Sequence, residues 1–251
     1  ILIKKNKMKK LLFLCFLMLS INVNAQEAVL LRLNYEKGVT YDISMKSSQE
    51  MGTVMSMGMT LDMSVKILEV KDGIYESEMK FSKISMDMLQ GGNIMSYDSS
   101  KSDAELDDTG KMMKAQMEPM LEAVIFAKGN DLGEVLETKV EPNIPGVSEM
   151  GKQTSTIIYP KGAVKIGTTW TSSKNEKGMV MDFVYKVKSI LKDKVELDLS
   201  GKVSGMASGD ITGHIDIDRK TGIPTNTLID LTLSASGQKL LSKMTMTMSK
   251  N

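Results

Sequence analysis

One histidine, one cysteine and 23 methionines limit the side-chain chemistry open to this 251-residue chain. A zinc centre draws on several histidine or cysteine ligands, and a nucleophilic triad needs a histidine beside its nucleophile. His214 has no second histidine to work with, and Cys15 lies in the apolar run near the N-terminus. His214 also falls on an even position between Ile211, Ile215 and Ile217, so it belongs to the polar side of a strand with an apolar odd side. Asp216-x-Asp218 opens like a calcium loop. Counted from Asp216, however, the later ligand and glycine positions hold Lys220, Thr221 and Thr227, which cannot complete it. The segment reads as a turn. No serine–lysine or carboxylate pair stands out by spacing, so neither an enzyme nor a resident metal or cofactor is expected.

The methionines are the richer signal. Met51, Met55, Met57, Met59 and Met63 share one parity, and so do Met244, Met246 and Met248. Thioethers are soft ligands suited to Cu(I), which makes a copper-binding protein one reading. The same parity carries Leu61, Val65 and Ile67, as it would if methionine served as a flexible aliphatic on an apolar sheet face. Met113, Met117 and Met120 recur at helical spacing. A sheet face bearing Met55, Met57, Met59 and Met63, with the helix of Met113, Met117 and Met120 laid against it, either completes a core or opens to hold an acyl chain. These seven residues are the candidate ligand-binding set.

The elements that position them are mainly strands. Val39, Tyr41, Ile43 and Met45 alternate with polar residues, as half-buried antiparallel strands do. A turn is expected in the break at Ser47–Gly52, a hairpin at Lys71-Asp72-Gly73, and another at Gly91-Gly92-Asn93. The apolar parity changes between Phe81 and Ile84, predicting a β-bulge near Ser82–Lys83. An amphipathic helix is expected over residues 111–122, with Pro119 as a point of kinking. Further strands start near Val124, Glu134, Met179, Val195, Ile211, Thr227 and Leu240. The fold class expected is mainly antiparallel β: a strongly curved sheet or open barrel, with the one short helix on its concave side. Residues 26–251 form one β-rich domain in this reading. The alternative is two related halves, 26–140 and 154–251, joined by the Pro- and Gly-bearing stretch 141–153.

Residues 1–25 read as a secretory signal peptide cleaved after Ala25. Lys4–Lys10 carries five lysines and no acid, LLFLCFLMLS is an apolar stretch, and Val23 and Ala25 suit the cleavage site. The apolar stretch falls short of the about 20 residues needed to span a bilayer, and no later segment suits a transmembrane span. Met8 is the expected start. Removing this leader leaves 27 basic and 31 acidic residues, a net charge of −4, and no cysteine. A weakly acidic, mixed surface argues against nucleic acid and against electrostatic docking on anionic lipid. Aromatic residues at 5%, with Trp170 the only tryptophan, argue against a carbohydrate platform. The protein is expected in the periplasm or outside the cell.

Several short motifs resemble an uncharacterised family of exported bacterial β-proteins, a domain of unknown function. They are Leu31-Arg32-Leu33 with Lys37-Gly38-x-x-Tyr41; Tyr97-Asp98-Ser99; Tyr159-Pro160 with Val164-Lys165-Ile166-Gly167-x-x-Trp170; and Asp218-Arg219-Lys220-Thr221-Gly222-Ile223-Pro224. The resemblance implies no activity and no catalytic residues. The expected architecture also resembles the half-open barrels of lipoprotein carriers. The expected function is therefore an envelope protein binding a lipid or other apolar small molecule. A structural module that engages an envelope protein, or a Met-rich Cu(I)-binding protein, is the alternative.

Overall fold

The computed structural model describes residues 27–52, 55–144, 147, 157–176, 178–235 and 237–251. The leader, and most of the 141–153 stretch, lie outside them. The described strands are β1 (Thr40–Met51), β2 (Met55–Lys71), β3 (Ile74–Gln90), β4 (Asn93–Asp98), β5 (Val124–Asn130) and β6 (Val135–Glu141), then β7 (Thr169–Glu176), β8 (Met179–Ile190), β9 (Lys194–Gly205), β10 (Ser208–Asp218), β11 (Pro224–Ala235) and β12 (Gln238–Lys250). One helix, α1 (Asp108–Glu122), follows β4.

All twelve described strands join one open antiparallel sheet, eleven of them in the order β6-β5-β3-β2-β1-β12-β11-β10-β9-β8-β7 and β4 beside β3 off this path. The chain meanders outward from β1 to β6, crosses to the far edge at β7, and meanders back until β12 pairs with β1. β3 is long enough to pair with β5 along Ile74–Lys80 and with β4 along Ser85–Gln90. Helix α1 spans the gap between those two partners and packs on β3 and β4.

The register accounts for the sequence pattern and corrects two expectations. Asp62 pairs with Lys83 and Met63 with Phe81, so Ser82 is the extra residue of the predicted bulge. The Asp72-Gly73 and Gly91-Gly92 turns fall as expected. The break at Ser47–Gly52 is not a turn until Gly52. β1 runs through Ser47 and Gln49 to Met51, because both of its neighbours pair with it along that stretch. Helix α1 begins at Asp108 and not at 111, since the Asp107 carboxylate caps it by accepting from the Gly110 N–H at 2.7 Å. It continues through Pro119 to Glu122.

The sheet is strongly curled at the end where β1 begins. Leu33 N–H donates to Asp131 O in the β5–β6 connection, and the next N–H, of Asn34, donates to Thr221 O in the β10–β11 connection, each at 2.7 Å. Adjacent residues lie 3.8 Å apart, so those two carbonyls are within about 10 Å of each other. Along the sheet, β5 and β11 are five strand spacings apart, about 24 Å if flat. Only a curled sheet meets both conditions.

Two straps cover this end, residues 27–39 and 157–168, linked by the Val29–Val164 bridge. Arg32 donates to Pro160 O and Lys161 O, and Tyr159 reaches from Leu132 O to Gly222 O. The inner face holds the core in three groups. Val187, Val195, Leu197, Ile215 and Ile217 lie under the straps, Tyr41, Ile67, Ile223 and Met248 lie in the middle, and Leu61, Met63, Phe81, Ile84 and Ile125 lie under α1.

Candidate binding face

The inner face changes character along the strands. Toward the strapped end its side chains are buried. Toward the other end, where β1 meets β2 at Gly52, they are only half-covered. Cross-strand pairing sets Met88, Met57, Gln49, Ser242 and Leu231 in one inner row, and Met55, Met51, Leu240 and Leu233 in the last row before the turns. All nine are half-buried or exposed at their edges, none fully covered. Ser47, Gln49 and Ser242 form a narrow polar strip at the centre, with methionines on the β2–β3 side and Ile229, Leu231 and Phe183 on the other.

Deeper in the curl, against the straps, a cavity of about 100 Å³ opens from this face. Leu33, Tyr35, Val65, Tyr75, Met79 and Met246 are among its lining residues, and Ser77 is a polar group on its wall. Pockets that enclose a whole drug-sized ligand run to roughly 300–1,000 Å³, so this cavity suits the end of a chain whose remainder lies along the inner face. Tyr35 packs edge-on against Tyr41 and Tyr75, with ring centroids 5.4 and 4.9 Å away. Burial, with the neighbouring tyrosines, pushes the Tyr35 hydroxyl far above its ordinary value and keeps it a neutral donor.

The seven methionines singled out by spacing divide into two groups. Met59, Met63, Met113, Met117 and Met120 pack in one cluster beneath α1, with Met63 and Met113 buried. Met55 and Met57 lie half-buried on the open part of the same strand face, opposite Met51 and Gln49. None of the seven lines the cavity. The cavity's strap residues, Leu33, Tyr35 and Ile157, lie in no periodic segment, so only a long-range contact could place them. Its strand residues Ile43, Val65 and Ile67 were legible as apolar positions, without a sign that space lay above them.

On the outer face, His214 Nε2 lies 3.1 Å from Asp216 Oδ1, and Glu196 completes a trio whose ligand atoms fall within 4.8 Å of one another. The Lys194 ammonium already supplies the cation, 2.7 Å from Glu196 and 3.2 Å from Asp216. That lysine, with a bond from the Ser189 hydroxyl, holds the Glu196 carboxyl down at about 2. The trio therefore reads as a lysine-neutralised surface network. Asp218 is a turn residue, as expected: its Oδ1 accepts from the Thr221 hydroxyl at 2.6 Å and from the N–H groups of Thr221 and Lys220. Burial pushes its carboxyl up, and these bonds outweigh that and leave it below the ordinary value.

Among the described residues no helix is long and apolar enough to cross a membrane. No curated protein sequence matches the chain. Among solved structures, lipovitellin, in a study of its lipid–protein interactions, superposes with a TM-score of 0.56 at 11% identity. The match covers 86% of this chain and 25% of that one, so the chain spans a quarter of lipovitellin's length. The likeness shows a shared fold. A mutant porin of Rh. blastica aligns over 84% of this chain and 99% of its own at 6% identity, with a TM-score of 0.22, too low to carry an argument. As the quoted motifs predicted, residues 149–224, which contain Tyr159-Pro160, Trp170 and Asp218–Pro224, match a family of unknown function, DUF6263.

Proposed function

We propose that this is an exported envelope protein that holds an apolar ligand, a lipid acyl chain, against the inner face of its curled sheet without catalysing a reaction on it. The observation that carries the reading is the half-covered inner face: straps and helix cover one part, and the rest continues to the open end as an apolar floor on either side of the narrow polar strip. A soluble sheet normally buries its apolar face completely. The fold shared with lipovitellin, a protein studied for its lipid–protein interactions, supports the proposal. The lone histidine is tied to Asp216 on the opposite face, away from any ligand held inside.

Native mass spectrometry of protein from envelope extract is expected to show adducts of lipid mass, and a fluorescent fatty acid should bind in solution. Val65→Phe fills the cavity and should weaken that uptake about tenfold, at a cost in stability of about 1–3 kcal/mol from overpacking. A clean apo mass together with no fatty-acid uptake removes the proposal.

A further inference from the structure

The turns at the two ends of the sheet differ in chemistry. At the strapped end they carry Lys71 and Asp72, Asp131 and Glu134, Lys192 and Asp193, and Arg219 and Lys220. At the open end, the described turn residues Gly52, Gly91, Gly92, Gly205, Met206, Ala207 and Gly237 carry no charge. The β7–β8 connection at the free edge, Asn175-Glu176-Lys177-Gly178, is the exception in sequence. The open rim is also where large apolar side chains are most exposed. Met206, in the β9–β10 turn, is 77% exposed, and Ile94, at the tip of the β3–β4 hairpin, is 75% exposed. Leu89 pairs with Ile94 on the outer side, and Leu241 lies exposed near the start of β12. Charges near the rim are set back from the turns onto the strands, with Glu50 and Lys239 on the outer face one or two residues in and, farther from the turns, Lys202 paired with Asp210 and Lys243 with Asp230.

Resting on the reading above, we propose that the open rim docks on an uncharged lipid bilayer surface, inserting the Ile94 and Met206 tips so that the inner face meets the membrane. Each feature fits that surface. Apolar tips gain by leaving water, whereas a charged tip would pay to enter the interface. The rim is continuous with the apolar floor, so an acyl chain moves between bilayer and protein without crossing water. A protein partner would be met by the Tyr, Trp and Arg anchors that dominate protein interfaces, and the described rim turns have none. Without residues 1–25 the chain carries a net charge of −4, which gives no attraction to anionic lipid, so docking by insertion is independent of salt.

The experiment is flotation of the whole protein with phosphatidylcholine vesicles, with fatty-acid uptake measured in parallel in vesicle-free solution. The wild type should float equally at low and high salt, and no better with anionic vesicles. Ile94→Asp combined with Met206→Asp should lower the partition about a hundredfold, since each tip loses the burial of one large apolar side chain. Ile94→Ser with Met206→Ser should fall between. Ile166→Asp, an equally simple change on a 50% exposed residue at the strapped end, should leave flotation unchanged. All variants should take up fatty acid as the wild type does. Failure of the wild type to float, flotation only on anionic vesicles with release by salt, or unchanged flotation of the Asp pair overturns the docking. So does a rim variant that abolishes self-association where no vesicle binding exists, because the rim is then a surface between copies. Loss of uptake in every protein with flotation retained overturns the ligand reading and leaves the docking standing.

Discussion

The same twelve strands end in two kinds of border. At the strapped border, chain segments far apart in sequence are locked together by backbone and buried side-chain hydrogen bonds. Leu33 and Asn34 clasp two distant turns, Arg32 holds the second strap, and Tyr159 spans both sides. At the open border the hairpins are held by strand pairing, with a bond from Met206 N–H to Gly178 O between two neighbouring turns, and, the β7–β8 connection apart, the described turns are glycine-rich and uncharged. The first border imposes the curl. The second inherits it and, with no strap laid across it among the described residues, leaves the inner face accessible. Shape and access are thus assigned to opposite ends of one sheet, and a substitution should act differently depending on which border it meets.

A matched pair of glycines gives the largest contrast. Gly222 has φ +67°, and a Cβ built there would run into the backbone carbonyl of Arg32 in the first strap. Gly237, at the open border, has φ +78° with nothing within 4 Å of a built Cβ. Both substitutions to alanine carry the left-handed backbone cost of about 1–2 kcal/mol. Gly222→Ala adds the displacement of the strap, for a total of about 3–5 kcal/mol. Urea unfolding of the two variants measures the difference. Equal losses would mean that the strap is not what holds the curl.

How much of this division the sequence reveals follows from the range of the interactions. The bulge at Ser82, the Asp72-Gly73 hairpin and the alternation along β8 to β12 are local and were legible. The polar inner positions Ser47 and Gln49 were misread as a turn. Alternation assigns polar residues to the wet side, whereas here two partner strands keep β1 extended through a polar strip. β7, with the sequence TWTSSKNE, was missed because an edge strand with one partner needs little apolar surface. The straps have no period at all. Their short motifs were visible as Leu31-Arg32-Leu33, Tyr159-Pro160 and Asp218–Pro224, but not that all three meet at one end of the sheet, which only the fold brings about. Of the candidate site, the apolar face was legible from Met55, Met57 and Met59, and the cavity was not.

Tyr159 tests the same border with a smaller expected effect. Its hydroxyl donates to Gly222 O at 2.6 Å, and the residue is almost wholly buried. Tyr159→Phe leaves that carbonyl without its partner, for a loss of about 1–2 kcal/mol. Burial, with Tyr35 nearby, pushes the Tyr159 hydroxyl well above its ordinary value of 10.0. The folded protein then keeps this proton while the unfolded chain releases it, so its contribution is fully present below pH 10 and declines as pH rises beyond. Stability measured against pH should fall less steeply on the alkaline side in Tyr159→Phe than in the wild type. An identical alkaline slope would show that Tyr159 is not sealed beneath the straps.

The smallest effect concerns the outer side of the strapped end, where the charges missing from the open rim collect. Lys194 and Ser189 hold the Glu196 carboxyl at about 2, against an ordinary 4.5. A depressed carboxyl contributes stability that is present above 4.5 and is lost as pH falls from there through about 2. The group faces solvent, so the loss is small and is read better from the residue than from the whole protein. Carbon-13 titration should place the Glu196 carboxyl near 2, and Lys194→Met should return it toward the ordinary range, because the ammonium is the larger of its two supports. Lys194 also pairs with Asp216, whose oxygen holds His214. The His214 ring resonances should therefore move in the same variant if the four side chains act as one network. A Glu196 midpoint near 4.5 in the wild type would mean that the strapped border is fastened by its backbone clasps alone, with its charges contributing solubility and nothing to the curl.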